Sequence, residues 1–331
     1  MTPGPDVTPG ELAARPGAAI VLGELRALGR GDGITAISRL AGGSIADAWL
    51  ITYADGAAAV GKTVTAALPG VFAVEAVGLA ALRGTGYLIT PRVLAATSKL
   101  LLLEALAPCA DGERSWEGFA RDLAAAHRST AGNRFGWHHD GYLGQFRQVN
   151  TWAASGHEFF AEYRLLRYLS EPLAGQALTA ADRRAVERLC ARLPELVPVM
   201  PAVLTHGDLW SGNLVSRPGG RIAVIDPAVS YTWAEADLSM LWCSNRTRGV
   251  LHDRTVLRGT PVLRDRADSP PWPHPFLWPH PFSVAAPVPV TAPALPWNRR
   301  FGDYRQDDCH MRLPGPTRPV DRPGAVRVRP V

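Results

Sequence analysis

The spacing of apolar residues changes twice along this chain. From Ile34 to Leu106 they fall in short runs of strand length. ITAISRL (34–40), ADAWLITY (46–53) and AAAVGKTV (57–64) read as three strands, with AGGSI as a glycine turn after the first and Asp55-Gly56 closing the second. In VFAVEAVGLAALRGTG, Phe72, Ala76, Leu79 and Leu82 share a helical face, and the pattern stops at glycine. RVLAA and KLLLLEAL then give two more strands, which predicts a small, mostly antiparallel sheet with one helix. From Ser115 the period becomes helical. SWEGFARDLAAAH offers Ser115 as an N-cap, sets Trp116, Phe119 and Leu123 on one face, and places His127 a turn later. HEFFAEYRLLRYL and TAADRRAVERLCARL read as two further amphipathic helices, the second opened by Thr179 with Asp182 three residues on, an acidic variant of the capping box. Strands first and helices second imply an α+β chain of two lobes.

Flanking these patterns are segments with neither period. The opening is rich in Pro, Gly and Ala, and 1–33 is expected to be a flexible lead-in, with order beginning near Ile34. Lobe boundaries follow at 34–106 and 107–243. Sixteen of the 29 prolines lie in the last 88 residues, a density that blocks helices and central strands. The segment 244–331 is therefore expected to be disordered, with a composition such as a GC-rich coding sequence gives in the wrong frame.

The 331 residues suffice for a sizeable core. No apolar run approaches the ~20 residues that cross a bilayer, and the start lacks the basic-then-apolar order of a secretory signal. Four scattered cysteines (Cys109, Cys190, Cys243, Cys309) form no C-x-x-C pair, so no zinc knuckle or disulfide framework is indicated and a cytoplasmic location is expected. The net charge of +5 comes from the tail, where 14 arginines face 7 aspartates and no glutamate; the rest is near neutral. That distribution argues against a nucleic-acid partner, and a monomer is expected. Lysine occurs only twice, at positions 62 and 99.

The candidate chemistry begins in LTHGDLWSGNLV (204–215). NLVSRPGGRIAVIDP reads as a hairpin. If Gly219-Gly220 form a two-residue turn, Pro218 faces Arg221, Val215 faces Val224, and Asn213 stands directly opposite Asp226. An amide oxygen and a carboxylate would then converge on one point, a donor pair suited to Mg²⁺ with water and phosphate oxygens completing the shell. Asp208, just before, is free to accept a proton from a substrate hydroxyl. This order of residues matches phosphoryl transfer in kinase-like folds. Lys62 on its strand and Glu75 on the following helix would pair and hold ATP phosphates, and Glu104-Ala-Leu106 would present backbone groups of an interlobe hinge to the adenine edge.

Taken singly, each residue has an ordinary reading. Asp208 and Asn213 would be turn caps, Glu75 a solvated helix residue, and Gly42-Gly43 lacks a three-glycine spacing. Their joint order favours a site. His206 is read as structural, and Trp137, Trp152 and the Phe159-Phe160 pair as core.

HGDLWSGN (206–213), IDPA (225–228), EADLSM (235–240), FGWHHDGYLGQFRQVNTW (135–152) and EFFAEYRL (158–165) resemble the fructosamine (ketosamine) kinase family, relatives of the aminoglycoside phosphotransferases. LAGGSIADAW, VGK, FAVEAVGLAAL and LLLLEAL look like the small lobe of that family. The resemblance covers roughly 34 to 243. It implies a two-lobed protein-kinase-like fold and ATP- and Mg²⁺-dependent phosphorylation of a sugar hydroxyl on a ketoamine, free or protein-linked, as a deglycation repair. It makes Asp208 the catalytic base, Asn213 and Asp226 metal ligands, and Lys62 with Glu75 the phosphate anchor. Gly42 and Gly43 would cover the phosphates, Glu104 and Leu106 form the hinge, and Trp210 wall the sugar pocket. The helices that follow EADLSM in the family are replaced here by the Pro/Arg tail. Two alternatives remain open: another small-molecule kinase of the aminoglycoside or choline type, and an impaired homologue acting only as a binding protein.

Overall fold

The computed structural model describes residues 16–40, 45–64, 68–107 and 113–243. The expectations for Gly42, Gly43 and the segment 244–331 lie outside them. The described part opens with helix α1 (Pro16–Ala27), followed by strands β1 (Ile34–Leu40), β2 (Ala46–Tyr53) and β3 (Ala58–Val64), helix α2 (Val71–Gly84), and strands β4 (Val93–Ala96) and β5 (Leu101–Glu104). The five strands form one antiparallel sheet in the order β1-β2-β3-β5-β4.

Helix α1 corrects the expectation of an unstructured lead-in up to Ile34. Ala18, Val21 and Leu25, three and four residues apart, are fully buried and pack with Ile37, Trp49, Ile51, Leu100 and Leu102 on one face of the sheet. Gly17 lets the helix approach closely, since an added Cβ would stand 2.5 Å from the Trp49 ring. Burying Val21 and Leu25 contributes about 1.5–3 kcal/mol each, enough to override the poor propensity of a Gly- and Pro-containing stretch.

The run of four leucines has a simple cause. Leu100 and Leu102 point toward α1, whereas Leu101 and Leu103 point to the opposite face and pack on Phe72 and Leu79 of α2. A strand covered on both sides loses its polar alternation.

The second lobe begins with α3 (Glu113–Ser129), which starts two residues before the expected cap, so Ser115 lies inside its first turn. Phe119, Leu123 and Ala126 of α3 join Leu204, Leu209, Ile222 and Val224 in the largest apolar cluster. A hairpin of β6 (Gly141–Leu143) and β7 (Phe146–Gln148) precedes α4 (Gly156–Phe160). The stretch expected to be one amphipathic helix from His157 instead changes after α4 to a π turn (Ala161–Leu165) and a 3-10 turn (Leu166–Ser170). The wider turn coincides with an inward Arg164, which donates to Val149 O at 2.9 Å and Asn150 Oδ1 at 2.6 Å and lies 4.5 Å from the Phe159 ring centroid.

Two helices follow, α5 (Pro172–Ala177) and α6 (Ala180–Leu196). Thr179 caps α6 through the expected reciprocal bonds, Asp182 N to Thr179 Oγ1 at 3.2 Å and Thr179 N to Asp182 Oδ2 at 2.9 Å. The chain then runs through β8 (Val203–Thr205), β9 (Leu214–Arg217), β10 (Arg221–Val224), β11 (Ser230–Thr232) and α7 (Ala234–Cys243). Trp137 and Phe159 are core residues, and Phe160 stacks on Trp233 at 5.2 Å.

The lobes meet along two lines. Val224 N donates to Ile89 O at 2.8 Å, and α2 presents Gly78 to Pro227 and Val229, where an added Cβ would stand 3.2–3.3 Å from their side chains. Among the described residues no helix is long and apolar enough to cross a membrane.

Candidate active site

The loop after β8 is shaped by buried bonds. His206 is fully buried; its Nε2 lies 2.9 Å from Ile225 O, and its Nδ1 accepts from Asp208 N at 3.3 Å. These partners assign a neutral imidazole protonated at Nε2, and burial holds its pKa below the usual value. Asp237 of α7 receives His206 N and Gly207 N, each at 2.9 Å, together with His127 Nε2 at 3.0 Å. Burial works against the charge of Asp237, but the bonds from His127 and Gly207 outweigh it and hold the carboxyl below its ordinary range. Sequence reasoning assigned Asp237 no role, although it stands in EADLSM; its only signal was an acid in the first turn of an apolar helix. Gly207 has φ 81°, and an added Cβ would stand 2.0 Å from Ala228 O. No other residue fits there.

Asp208 projects from this loop. Asn213 Nδ2 donates to its carboxylate at 3.0 Å and to its backbone oxygen at 2.8 Å. Burial pushes the Asp208 carboxyl up to about 6, with the bond from Asn213 pulling the other way. Trp210, 41% exposed, folds its ring over Gly212, where an added Cβ would stand 2.2 Å from the ring.

The register of β9 and β10 differs by one residue from the expected pairing. Arg217 faces Arg221, Val215 faces Ala223, and Ile225 N donates to Asn213 O at 3.0 Å. Ile225, not Asp226, therefore stands opposite Asn213. The cause is the turn: Pro218 joins Gly219 and Gly220, both at positive φ, in a three-residue connection. Asp226 reaches the cleft by another route. It has φ 57°, the one positive value for a non-glycine among the described residues. An αL Asp is tolerated at a cost of about 1–3 kcal/mol where its surroundings hold it.

Those surroundings are Lys62 and Glu75. Lys62 Nζ lies 2.7 and 2.8 Å from the two Glu75 oxygens and 2.7 Å from Asp226 Oδ1. One buried ammonium thus serves two acids. Burial pushes Glu75 up to about 7 against the pull of Lys62. Burial also opposes the charge of Lys62, but Glu75 and Asp226 hold its pKa well above the ordinary value. With the ammonium bridging both oxygens, the ionised pair is the state that the geometry supports.

Lys62, Glu75, Asp208 and Asp226 line one cleft between the lobes, alongside Tyr142 of β6. Glu104 and Leu106, expected at the hinge, are not among the residues lining this cleft: Glu104 ends β5 and pairs with Ala59 while Lys62 pairs with Leu101, a separation of roughly 10 Å along the strand. Its carboxylate is engaged by Arg92 Nε at 3.3 Å. The structure brings four of the expected residues together and bonds Asn213 to one of them. Among the described residues no three acidic, histidine or cysteine side chains gather as a cation site; the partly exposed Asp226 carboxylate is the hard oxygen donor at the cleft, which fits a divalent cation held largely by water and phosphate oxygens.

A strand-rich lobe carrying a Lys–Glu pair, joined to a helical lobe carrying an acid on a glycine-bent loop, defines the protein-kinase-like fold. The chain belongs to the fructosamine kinase family, whose model matches residues 24–248. It is 30% identical over 226 residues to a protein-ribulosamine 3-kinase of rice, covering 65% of this chain and 65% of the rice protein. A Synechocystis protein named "probable ketoamine kinase" is 34% identical over 185 residues, 51% of this chain and 58% of that protein. The chain thus spans less than two thirds of the length of these relatives. A solved structure from Thermobifida fusca, described as a "putative fructosamine-3-kinase", superposes with a TM-score of 0.62 at 29% identity, covering 71% of this chain and 81% of that one.

Proposed function

We propose that the protein transfers the γ-phosphoryl group of ATP to a sugar hydroxyl of a ketoamine, with Asp208 as general base. One observation carries the reading: Lys62, Glu75, Asp226 and Asp208, drawn from both lobes, line a single cleft in a member of the fructosamine kinase family. The Asp208 carboxylate, ionised above about pH 6, takes the proton as the acceptor oxygen bonds to phosphorus and the β–γ bridging bond breaks. Asn213 fixes the base by its two bonds. Glu75 orients Lys62, whose ammonium passes from Asp226 to the ATP phosphates. Asp226 and the Asn213 amide oxygen would hold Mg²⁺, which supplies charge neutralisation at the phosphates when bound. Trp210, two residues from Asp208 and 41% exposed, would pack on the sugar.

The test is ATP turnover with fructose- and ribose-derived ketoamines, alongside choline and aminoglycoside acceptors. Asp208→Asn is expected to lose ~10³-fold or more in kcat, since the base disappears and local charge falls together. Phosphorylation of an antibiotic but of no ketoamine would overturn the substrate assignment.

A further inference from the structure

The β6–β7 hairpin belongs to the helical lobe yet touches the small lobe at three places. Tyr142 Oη donates to Pro69 O, just before α2, at 3.0 Å. Gly141 lies against Val74 of α2, where an added Cβ would stand 3.4 Å from Cγ1. Gly144, at φ 62° in the two-residue turn, approaches Ile45, whose Cδ1 would be 3.2 Å from an added Cβ. A glycine at the first turn position, with only that residue at positive φ, is the type II′ geometry suited to a tight hairpin.

The other strand grips the segment that carries Asp226. Gln148 Nε2, buried, donates to Ala228 O at 2.9 Å. Across the hairpin base Arg147 pairs with Asp140 at 2.7 Å, and Asp140 Oδ1 accepts from Asn150 N at 2.9 Å. Because Gly78 of α2 packs on Pro227 and Val229, the contacts close a ring: α2, the segment 227–229, β7, β6, and α2 again. Glu75 lies on one side of this ring and Asp226 on the other, and both hold the Lys62 ammonium.

We propose that the β6–β7 hairpin is an interlobe clasp, with Tyr142 a positioning residue that holds α2, and so Glu75, against the Asp226 segment. Loss of the clasp lets α2 drift and loosens the Lys62–Glu75 pair without removing any group that touches phosphate. The proposal rests on the phosphotransferase reading only where nucleotide is the ligand measured.

Tyr142→Phe deletes the hydroxyl and keeps the ring; Tyr87→Phe, at an exposed small-lobe tyrosine outside the ring, is the control. Amide hydrogen exchange across 71–84 reads the clasp directly, and Mg·ADP titration reads its effect on the site. In Tyr142→Phe, exchange over 71–84 is expected to speed up about twofold to fivefold and nucleotide affinity to weaken by a similar factor, the scale of one partly exposed hydrogen bond. Tyr87→Phe is expected to match wild type in both. Unchanged exchange in Tyr142→Phe would overturn the clasp, whatever the nucleotide does. A rise in ketoamine KM alone would make Tyr142 a substrate contact and overturn it equally. If wild-type protein binds no nucleotide, the phosphotransferase reading fails, while the exchange comparison still decides the clasp.

Discussion

As the proposed general base, Asp208 is expected to carry opposite pH dependences for stability and for turnover. Its carboxyl is lifted from 3.8 to about 6, chiefly by burial. An acid whose pKa rises on folding favours the folded state in its protonated form. Its contribution to stability is therefore fully present below pH 3.8 and is lost as pH rises through about 6. The base needs the ionised form, so kcat/KM is expected to rise with pH through an apparent pKa near 6. In Asn213→Ala the bond that lowers this pKa is gone, and the rise is expected to move to higher pH. A pH–rate profile of both proteins checks the pair, and an unshifted profile in the variant would remove Asp208 as the titrating base. That Asp208, Lys62 and Glu75 would meet in one cleft was legible because the order of these residue types along the chain resembles that of kinase-like folds. Asp226 was legible as a residue but not as a geometry, since its φ of 57° has no sequence signal in a non-glycine.

At the scale of elements, helix α1 offers the sharpest contrast between composition and packing. Leu25→Ala is expected to destabilise the protein by about 2–5 kcal/mol, the usual range for truncating a buried leucine. Urea unfolding would show it, whereas an unstructured lead-in would give no effect. Gly and Pro around positions 16–17 suggested a loose start, yet Ala18, Val21 and Leu25 held the helical spacing that decided the outcome. The sheet was easier to read, because glycine turns and alternation bound each strand. The β9–β10 hairpin was found but its register was misplaced: a Gly-Gly pair signals a tight turn, and nothing in the sequence says whether Pro218 stands in the strand or the loop. The β6–β7 contacts with α2 were illegible for a further reason, namely that they join residues about 70 positions apart through a tyrosine hydroxyl and bare backbone.

For the whole molecule, the site exists only where the two lobes meet, so a ligand bridging them should stabilise both. At ~100 times its Kd, Mg·ATP is expected to add about 2.7 kcal/mol to the folded state, which for a domain of this size raises Tm by roughly 5–10 °C. In Lys62→Met most of that shift should vanish, and thermal unfolding with and without nucleotide decides it. An equal shift in both proteins would mean that nucleotide binds without Lys62. The contact between Gly207 and Ala228 has a mechanical consequence. An added Cβ there would overlap the opposing carbonyl at 2.0 Å, and Ala228 N donates to His206 O at 2.8 Å, so the strand-connecting bends that carry Asp208 and Asp226 are welded face to face. Neither bend can shift without carrying the other, so the backbone itself fixes the spacing between the two carboxylates.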